Sequence, residues 1–315
     1  MTSSCSPVRI VVFGSLNMDL VMKVPRVPVD GETLQGHSIA YLPGGKGGNQ
    51  AVSCARLGAK VNMLGLVGAD ANGEKLLEAL DADSIDHSGV FVDASVPTGV
   101  ALVMVDDAAQ NRIVVIPGAN GTVQSDAAQM ASQLKDVAML VMQLELPLKQ
   151  VLGMARVANQ LGCKVLLNPS PVQSLPDELW PMIDTLVLNE IEAKAFTHTE
   201  VDTPTSAAKA AKMLLARGVR RVVVTLGAIG AVAAQAGSCH FHPALPVHAV
   251  DTTAAGDTFL GAVAVTLAEG GSLDDGAALG IRAASLCVQR RGAQTSIPTR
   301  SEVSGVPSPL TWTTP

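Results

Sequence analysis

The sequence lacks both a basic stripe and a long apolar run. Its formal net charge is −6 and its isoelectric point is near 5.5, whereas a protein that binds a polyanion needs clustered Lys and Arg. No run is long and apolar enough to span a bilayer. Residues 1–7 are polar and have neither the basic nor the apolar region of a signal peptide. We therefore expect no nucleic-acid or membrane partner, and we predict a cytoplasmic protein.

Paired cysteines are also missing. The five cysteines are odd in number, widely separated and without a Cys-x-x-Cys pair; they are Cys5, Cys54, Cys163, Cys239 and Cys287. This pattern indicates thiols in a reducing compartment. His240 and His242 could share one face of a strand, but without a third ligand nearby we favour a solvated strand over a metal site.

Two familiar phosphate-binding fingerprints are absent, namely the Walker loop and the Gly-x-Gly-x-x-Gly dinucleotide turn. A different glycine-rich segment stands near the start, Gly44-Gly45-Lys46-Gly47-Gly48-Asn49-Gln50-Ala51. Its glycines let the backbone approach a ligand closely, and its Asn offers both a donor and an acceptor. Taken alone, this segment is equally explained by a tight turn that opens a helix over residues 49–57.

A second segment, residues 251–259, places small residues and a carboxylate where a loop becomes a helix; it reads Asp-Thr-Thr-Ala-Ala-Gly-Asp-Thr-Phe. The turn 254–256 can present consecutive backbone N–H groups to a phosphate, and the helix that follows directs its positive end at that charge. Asp257 would lie in the first helical turn, beside the reacting atoms. An Asp N-cap ahead of a buried helix is the alternative for this segment alone.

Together the two segments resemble the ribokinase, or PfkB, family of carbohydrate kinases. The similarity runs from about residue 9 to residue 298 and includes shorter motifs at 14–19, 31–33, 143–145, 168–169, 189–192, 225–227 and 291–294. The combination of these motifs is closest to the family members that phosphorylate ribose. The resemblance implies transfer of phosphate from ATP to the 5-hydroxyl of D-ribose, which gives D-ribose 5-phosphate and ADP.

The resemblance also implies roles for individual residues. Asp257 would be the general base, and the backbone of Ala254, Ala255 and Gly256 would form the anion hole. The sugar pocket would contain Asn17, Asp19, Gly45, Lys46, Asn49, Glu145 and Asp257. The ATP and Mg²⁺ site would contain Asn189, Glu192, Thr225, Gly227, Gly230 and Gly256. A K⁺ site would contain Asp251, Thr253, Cys287, Arg290, Gly292 and Ser296, with Cys287 and Arg290 offering main-chain oxygen only.

Some assignments have alternatives. Lys46 could be a solvated loop lysine, since its neighbours would bind a sugar without its charge. Gly48 and Ala254 stand where many family members have Ala and Gly, and neither change removes a functional group. Ile281 lies where relatives often place Asn or His against the adenine, which leaves the nucleotide preference open.

The apolar pattern predicts the fold. Nearly continuous apolar runs indicate parallel strands covered on both faces; they lie at 10–13, 61–67, 139–144, 164–167, 185–188 and 221–226. A helical stripe over 148–161 lies between two of them. We predict a single α/β domain over 8–298, with a doubly wound, mainly parallel sheet.

Two stretches, 20–43 and 98–117, have strand-like runs but no helix to carry a crossover, which predicts a small inserted antiparallel sheet. The resemblance implies that this sheet is a lid over the sugar and the interface of a homodimer. Residues 299–315, rich in Ser, Thr and Pro, show no pattern and are predicted to be a mobile tail.

Two further function classes stay open on the sequence. One is a kinase for another small sugar, such as deoxyribose or fructose. The other is a protein without kinase activity, either a catalytically silent sugar-binding or regulatory protein on the same fold or an unrelated nucleosidase. The presence of Gly256 and Asp257, and of Asn189 with Glu192, argues against a silent protein.

Overall fold

The computed structural model describes residues 7–108, 110–308 and 312–313, so Cys5 lies outside the described residues. The strands are β1 (Arg9–Phe13), β2 (Asn17–Lys23), β3 (Ser38–Gly44), β4 (Lys60–Gly68), β5 (Asp86–Asp93), β6 (Gly99–Val105), β7 (Asn111–Ile116), β8 (Met139–Met142), β9 (Lys164–Leu167), β10 (Thr185–Asn189), β11 (Arg221–Thr225), β12 (Gly230–Gln235), β13 (Ser238–Pro243) and β14 (Trp312–Thr313). The helices are α1 (Lys46–Arg56), α2 (Ala71–Ala82), α3 (Ala127–Gln133), α4 (Leu148–Gln160), α5 (Glu190–Thr197), α6 (Pro204–Leu215), α7 (Ala255–Ala268), α8 (Leu273–Cys287) and α9 (Arg300–Ser304).

The large sheet has the strand order β14-β13-β12-β11-β10-β9-β8-β1-β4-β5. From β11 to β5 every neighbouring pair is parallel, while β12, β13 and β14 extend it antiparallel. Every apolar run that predicted a strand is one here, and the stripe over 148–161 is α4. Helices cover both faces, so the predicted doubly wound, mainly parallel sheet is confirmed.

The two faces of the large sheet bury separate cores because successive strand side chains point to opposite sides. In β1, for example, Val11 and Phe13 pack in one core and Ile10 and Val12 in the other. The first core is closed by α3, α4, α5 and α6, and the second by α1, α2, α7, α8 and α9. Apolar residues on both faces of a strand produce the continuous runs seen in the sequence.

The strand β1 marks the point where the chain reverses its direction of winding. Its neighbours are β4 on one side and β8 on the other, so the strands that follow β4 and those that follow β8 extend the sheet in opposite directions. In open α/β sheets, ligands bind beyond the carboxyl ends of the strands at such a switch point. Ser15 follows β1, and Gln143 and Glu145 follow β8. These polar residues therefore meet at the edge where a ligand site is expected.

A small sheet of four strands, β3-β2-β6-β7, covers that edge. The outer pairs β2–β3 and β6–β7 are antiparallel, as predicted, whereas the central strands β2 and β6 run parallel. This parallel pair arises because the two strands belong to separate insertions that leave the α/β body in the same direction. Its strands lie within or close to the two stretches predicted from the sequence.

The expectation of a mobile tail from residue 299 is wrong for its first part. Thr299 caps α9 through a capping box with Glu302. Val303 is fully buried in the core, and Arg300 forms an ion pair with Glu269. These contacts anchor the segment against α7 and α8, while residues 309–311 and 314–315 lie outside the described part. Among the described residues, no helix combines the length and apolarity needed to cross a bilayer.

Candidate active site

The glycine-rich segment packs the start of α1 onto the loop after β1. Gly45 has φ +83°, and a Cβ on Gly47 would lie 2.5 Å from the backbone N of Ser15. The N–H of Gly48 donates to the carbonyl of Ser15 at 2.9 Å. Only residues without a side chain permit this approach. It brings the first turn of α1, and with it Lys46, to the carboxyl edge of the sheet.

The residues predicted to bind sugar meet beneath the small sheet. Glu145 accepts hydrogen bonds from the hydroxyl of Ser15 and, at 3.1 Å, from the backbone N–H of Lys46. Asn17 is buried, and its Oδ1 accepts from Nδ2 of Asn120 at 2.8 Å. The structure therefore adds Ser15 and Asn120 to the predicted group. Ser15 lay inside a recognised motif, whereas nothing in the sequence pointed to Asn120.

Five charged side chains interact in and next to this pocket. Burial, with smaller contributions from Glu145 and Asp257, raises the pKa of Asp19 to about 7. For Lys46, burial alone would lower the pKa, but Asp257, Glu145 and Glu192 together outweigh it and the net pKa is raised. Lys46 is half-buried and lines the cleft described below. The alternative of a solvated loop lysine is therefore wrong.

Asp257 lies in the first turn of α7, where two neighbouring residues of α1 hold its carboxylate. Asn49 Nδ2 donates to one oxygen at 3.0 Å, and Gln50 Nε2 donates to the other at 2.9 Å. Asn49 Oδ1 is buried without a hydrogen-bond partner among the described residues. The N-cap of α7 is Ala254, which makes no side-chain cap. The alternative of an Asp N-cap is therefore wrong for this helix.

The turn before α7 has an unusual backbone. Ala254 adopts φ +59°, a left-handed conformation that non-glycine residues rarely take. The N–H of Ala255 donates to the carbonyl of Thr252 at 3.2 Å, within the turn. A Cβ on Gly256 would meet no atom within 4 Å. Because the first N–H groups of a helix have no intrahelical acceptor, this end of α7 can receive an anion.

A cleft of about 240 Å³ runs from Lys46 and Asp257 towards the ends of β10 and β11. It is lined by Lys46, Asn168, Val187, Leu188, Asn189, Glu192, Thr225, Thr252, Ala254, Gly256, Asp257 and Leu260. Asn189 and Glu192 form the capping box of α5, and Asn168 Nδ2 also donates to Glu192 at 3.3 Å. The predicted catalytic turn and the predicted nucleotide residues thus share one cavity.

The remaining nucleotide residues lie in the turn between β11 and β12. Gly227 and Gly230 have φ +53° and +138°, and a Cβ on Gly230 would lie 2.2 Å from the carbonyl oxygen of His242. These glycines therefore shape the turn next to Thr225, which lines the cleft. Ile281 is 6% exposed and packs in the core behind α7.

The predicted cation residues also converge. Asp251 accepts from the N–H groups of Thr253 and Gly292, each at 2.9 Å, and these bonds keep its pKa lowered although burial opposes them. Cys287 Sγ contacts the carbonyl of Thr253 at 3.6 Å and the hydroxyl of Ser296 at 3.1 Å. Arg290 directs its guanidinium away, to Glu302 on α9.

His240 and His242 do share a strand, but the interpretation as a solvated strand is wrong for His242. Its side chain is fully buried, and its Nε2 lies 2.9 Å from Asp274 Oδ1. His240 Nδ1 lies 2.8 Å from the other oxygen of Asp274. The two rings thus tie β13 to the first turn of α8. Within the described part of the chain, no group of His, Cys, Asp or Glu is arranged to hold a metal ion.

A carboxylate in the first turn of a helix, a helix N-terminus facing a cleft and a sheet covering the opposite side are features of an α/β phosphotransferase. A family model described as pfkB family carbohydrate kinase matches residues 8–300. The chain belongs to the pfkB family of carbohydrate kinases.

Known relatives match most of the chain. The ribokinase of Haemophilus influenzae is 41% identical over 92% of this chain and 95% of its own length. The deoxyribokinase of Salmonella typhi is 33% identical over 92% of this chain and 95% of its own length. Among solved structures, Arabidopsis thaliana ribokinase complexed with ribose and ATP superposes with a TM-score of 0.89 at 32% identity, over 95% of this chain and 98% of that one.

Proposed function

We propose that this protein is a kinase that transfers the terminal phosphate of ATP to the 5-hydroxyl of D-ribose. The observation that carries the proposal is the position of Asp257. Its carboxylate lies where the sugar-pocket residues meet the cleft, at the start of α7. The ribokinases among the relatives support ribose as the acceptor.

Asp257 would take the proton from the attacking hydroxyl. Its carboxylate accepts one hydrogen bond from Asn49 and one from Gln50, and the remaining lone pairs of its oxygens are available for the proton. A positioned general base contributes roughly 10²- to 10⁴-fold to a rate. Asp19, when ionised, can accept from two neighbouring sugar hydroxyls. Asn49 Oδ1, which has no other partner among the described residues, fits a hydroxyl that donates to it.

The phosphoryl group carries negative charge that this chain can stabilise in two ways. Backbone N–H groups at the turn 254–256 would face the transferred group, with Ala254 and Gly256 contributing more than Ala255, whose N–H is already donated. Lys46, half-buried among carboxylates, remains a cation and lines the same cleft. Both would act at the carboxyl edge of the sheet.

ATP and Mg²⁺ would occupy the rest of the cleft. Asn189 and Glu192 present oxygen atoms at its wall, which suits a hard cation that keeps several of its waters. Mg²⁺ bound with the phosphates would neutralise part of their charge. Thr225, Gly227 and Gly230 would contact the nucleotide, since the strand end and the two glycines form the adjoining turn.

K⁺ would be held by the loop behind the turn 254–256. The donor set consists of one ionised carboxylate, from Asp251, together with hydroxyl and main-chain oxygens of Thr253, Cys287, Arg290, Gly292 and Ser296. Oxygen donors with a single negative charge suit a monovalent cation. A cation bound there would order the loop that precedes α7.

We also infer a homodimer formed through the small sheet. Its edge strand β7 is exposed along its whole length, and Ile113, Val114, Val115 and Ile116 are 47–56% exposed. On β3, Ile39 and Tyr41 are about equally exposed. A contiguous apolar patch on an edge strand is typical of an interaction surface. Light scattering should give the mass of a dimer for the parent and a shift towards monomer for Val115→Lys.

We infer a cytoplasmic location from the cysteines. Cys54, Cys163 and Cys287 are buried thiols, and burial raises the pKa of Cys54 to about 12. Such thiols stay protonated and suit a reducing compartment.

A kinase for another small sugar is the second candidate, favoured by the deoxyribokinase among the relatives. A pocket that hydrogen-bonds a hydroxyl can reject the analogue that lacks it by roughly 10⁴-fold, because buried partners are then left unpaired. The preferred sugar is therefore the one with the highest kcat/KM in a panel of ribose, 2-deoxyribose and fructose.

The test is a coupled assay of ADP release over that sugar panel, with and without K⁺. Ribose-dependent ADP release should be fastest, and Asp257→Asn should lower kcat by at least roughly 10²-fold while ribose and ATP still bind. Asp177→Asn, at an exposed carboxylate, is the matched control. The absence of sugar-dependent ADP release in the parent would contradict a kinase, and equal kcat in Asp257→Asn would remove Asp257 as base.

A further inference from the structure

Two glutamines that are not among the residues proposed above for catalysis form a chain of hydrogen bonds that ends on Asp257. Gln143 Nε2 donates to Gln50 Oε1 at 2.6 Å, and Gln50 Nε2 donates to Asp257 Oδ1 at 2.9 Å. Gln50 is fully buried and Gln143 is 1% exposed. We infer that Gln50 and Gln143 are positioning residues that fix the rotation of the Asp257 carboxylate for proton transfer. This inference rests on the proposed function of Asp257.

The chain of hydrogen bonds crosses three separate elements. Gln143 follows β8 in the centre of the large sheet, Gln50 belongs to α1, and Asp257 belongs to α7. A Cβ on Gly14 would lie 2.1 Å from Gln143 Oε1, so the loop after β1 packs directly on the first glutamine. The carboxylate of Asp257 is therefore linked by hydrogen bonds to the buried switch point of the large sheet.

The direction of the hydrogen bonds follows from the chemistry of the three groups. An ionised carboxylate can only accept, so Gln50 must turn its NH₂ group towards Asp257. Its carbonyl oxygen then faces Gln143, which must offer its own NH₂ group. Gln143 Oε1 is left buried and without a hydrogen-bond partner among the described residues. That cost indicates that the orientation of Gln143 is imposed by Gln50 and not by its own surroundings.

The arrangement fixes more than the distance to the carboxylate. Asn49 holds one oxygen of Asp257 and Gln50 holds the other, so the plane of the carboxylate cannot turn about its Cβ–Cγ bond. A general base needs its lone pair aligned with the proton that it takes. Misplacement by about 1 Å at a reacting centre can cost roughly 10² in rate. Removing the Gln50 donor should therefore affect turnover more than binding.

The variants that test this differ in which bond they remove. Gln50→Met keeps the length of the side chain and deletes the donor to Asp257, and Gln143→Met deletes only the bond that orients Gln50. Ser53→Ala is the matched control, because the Ser53 hydroxyl donates to the carbonyl of Thr258 at 3.1 Å across the same α1–α7 interface but does not touch Asp257. Gln143→Met and Ser53→Ala each remove one buried hydrogen bond, whereas Gln50→Met removes two, the donor to Asp257 and the acceptor for Gln143.

We expect kcat with ribose to fall by about 10²-fold in Gln50→Met and about tenfold in Gln143→Met, with the KM values for ribose and ATP changed less than about threefold. The double variant should resemble Gln50→Met, since Gln143 acts only through Gln50. Ser53→Ala should lose stability with its kcat unchanged. A folded Gln50→Met variant with the kcat of the Ser53→Ala control would overturn the inference.

Gln143→Glu tests the direction of the chain even where Gln50→Met fails to fold. When protonated, the introduced carboxyl can donate to Gln50 as Gln143 does; when ionised, it can only accept and draws the NH₂ group of Gln50 away from Asp257. The kcat of this variant relative to the parent should therefore fall at least about tenfold as pH rises through the titration of the buried carboxyl. A ratio that does not change with pH would contradict the proposed direction.

A crystal structure of Gln50→Met separates this inference from the proposed function. We expect the Asp257 carboxylate to be rotated or to adopt two conformations, whatever substrate the enzyme uses. A carboxylate that keeps the parent conformation would overturn the inference, even in a parent that phosphorylates ribose. Conversely, a rotated carboxylate in a protein without ribose kinase activity would sustain the positioning role and reject only the substrate.

Discussion

Gly44 and Asp19 face each other across β3 and β2, and a Cβ on Gly44 would lie 2.2 Å from Asp19 Oδ2. A real Cβ does not approach an atom so closely, so Gly44→Ala must displace the carboxylate. We expect the KM for ribose to rise by at least about tenfold, because the displaced carboxylate loses its hydrogen bonds to the sugar. The KM for ATP should change little, since Gly44 does not line the cleft.

Gly153→Ala in α4 provides the control for this substitution, because a Cβ there meets only the Met130 side chain, with Cε at 3.6 Å and Sδ at 3.8 Å, which are ordinary contacts. Steady-state kinetics of both variants decide the matter. An unchanged ribose KM in Gly44→Ala would place the sugar away from Asp19.

The pKa of Asp19 makes stability depend on pH. The pKa is about 7 in the folded protein and 3.8 for the ordinary group. Between these values the folded state binds more protons than the unfolded state, so the free energy of unfolding falls as pH rises from about 4 to about 7. Asp19→Asn removes this penalty. Urea unfolding should show the variant gaining stability over the parent as pH rises from 5 to 8, with no further gain above pH 8.

The same substitution should weaken ribose binding at pH 8, since the amide replaces a carboxylate that accepts two hydroxyl groups. In the parent, ribose affinity should rise as pH increases through about 7, because the ionised form binds the sugar. Calorimetric titration at three pH values measures both effects. If the stabilities of Asp19→Asn and the parent changed in parallel at all pH values, the raised pKa of the half-buried Asp19 would be contradicted.

Two substitutions in the turn 254–256 should differ in their effect on kcat, although neither should lower stability. Gly256→Ala meets no atom in the folded protein, but its methyl group adjoins the cleft. We expect its stability to be unchanged or higher and its kcat to fall by at least about 10²-fold, because the methyl occupies space needed by the phosphoryl group. Ala254→Gly should keep kcat and gain up to about 1 kcal/mol, since Ala254 has φ +59°. Thermal unfolding measures the stability of the two variants, and steady-state kinetics measure their kcat.

Replacing K⁺ by Na⁺ should lower kcat with a smaller change in the KM for ribose. The proposed ligands Asp251 and Thr253 directly precede the turn 254–256, so a cation that fits poorly would displace the backbone N–H groups that follow. Kinetics in K⁺, Na⁺ and choline buffers of equal ionic strength measure this effect. Identical kcat values in the three buffers would remove the cation site from the proposal.

Much of the fold could be predicted because burial on both faces leaves a continuous apolar run in a strand. The run 164–167, for example, coincides with β9. The sequence did not reveal β12, which is rich in Ala, and it indicated β13 only through the pair His240 and His242, because that strand alternates polar residues with Cys and Phe. The anchored start of the tail was also missed, since it depends on partners distant in sequence, such as Glu269 for Arg300.

The site residues that lie in local sequence motifs were predicted, whereas contacts between residues distant in the sequence were missed. Asp257 and Lys46 were found from local patterns, and both line one cleft. Gln50 was part of a recognised segment, yet its contact with Asp257 spans 207 positions and leaves no local signal. Asn120 was missed for the same reason, because its bond to Asn17 joins two elements 103 positions apart.

The strand β2 has one further consequence, for recombination between kinases. It leaves the body of the protein at Asn17, carries Asp19 two residues later, and then pairs along its whole length with β3 and β6. No cut in this strand separates the covering sheet from Asn17 and Asp19, the residues proposed to bind the acceptor sugar. A chimaera that exchanges the small sheet with a relative therefore exchanges part of the proposed sugar pocket with it, so we expect the covering sheet and the substrate preference to be inherited together.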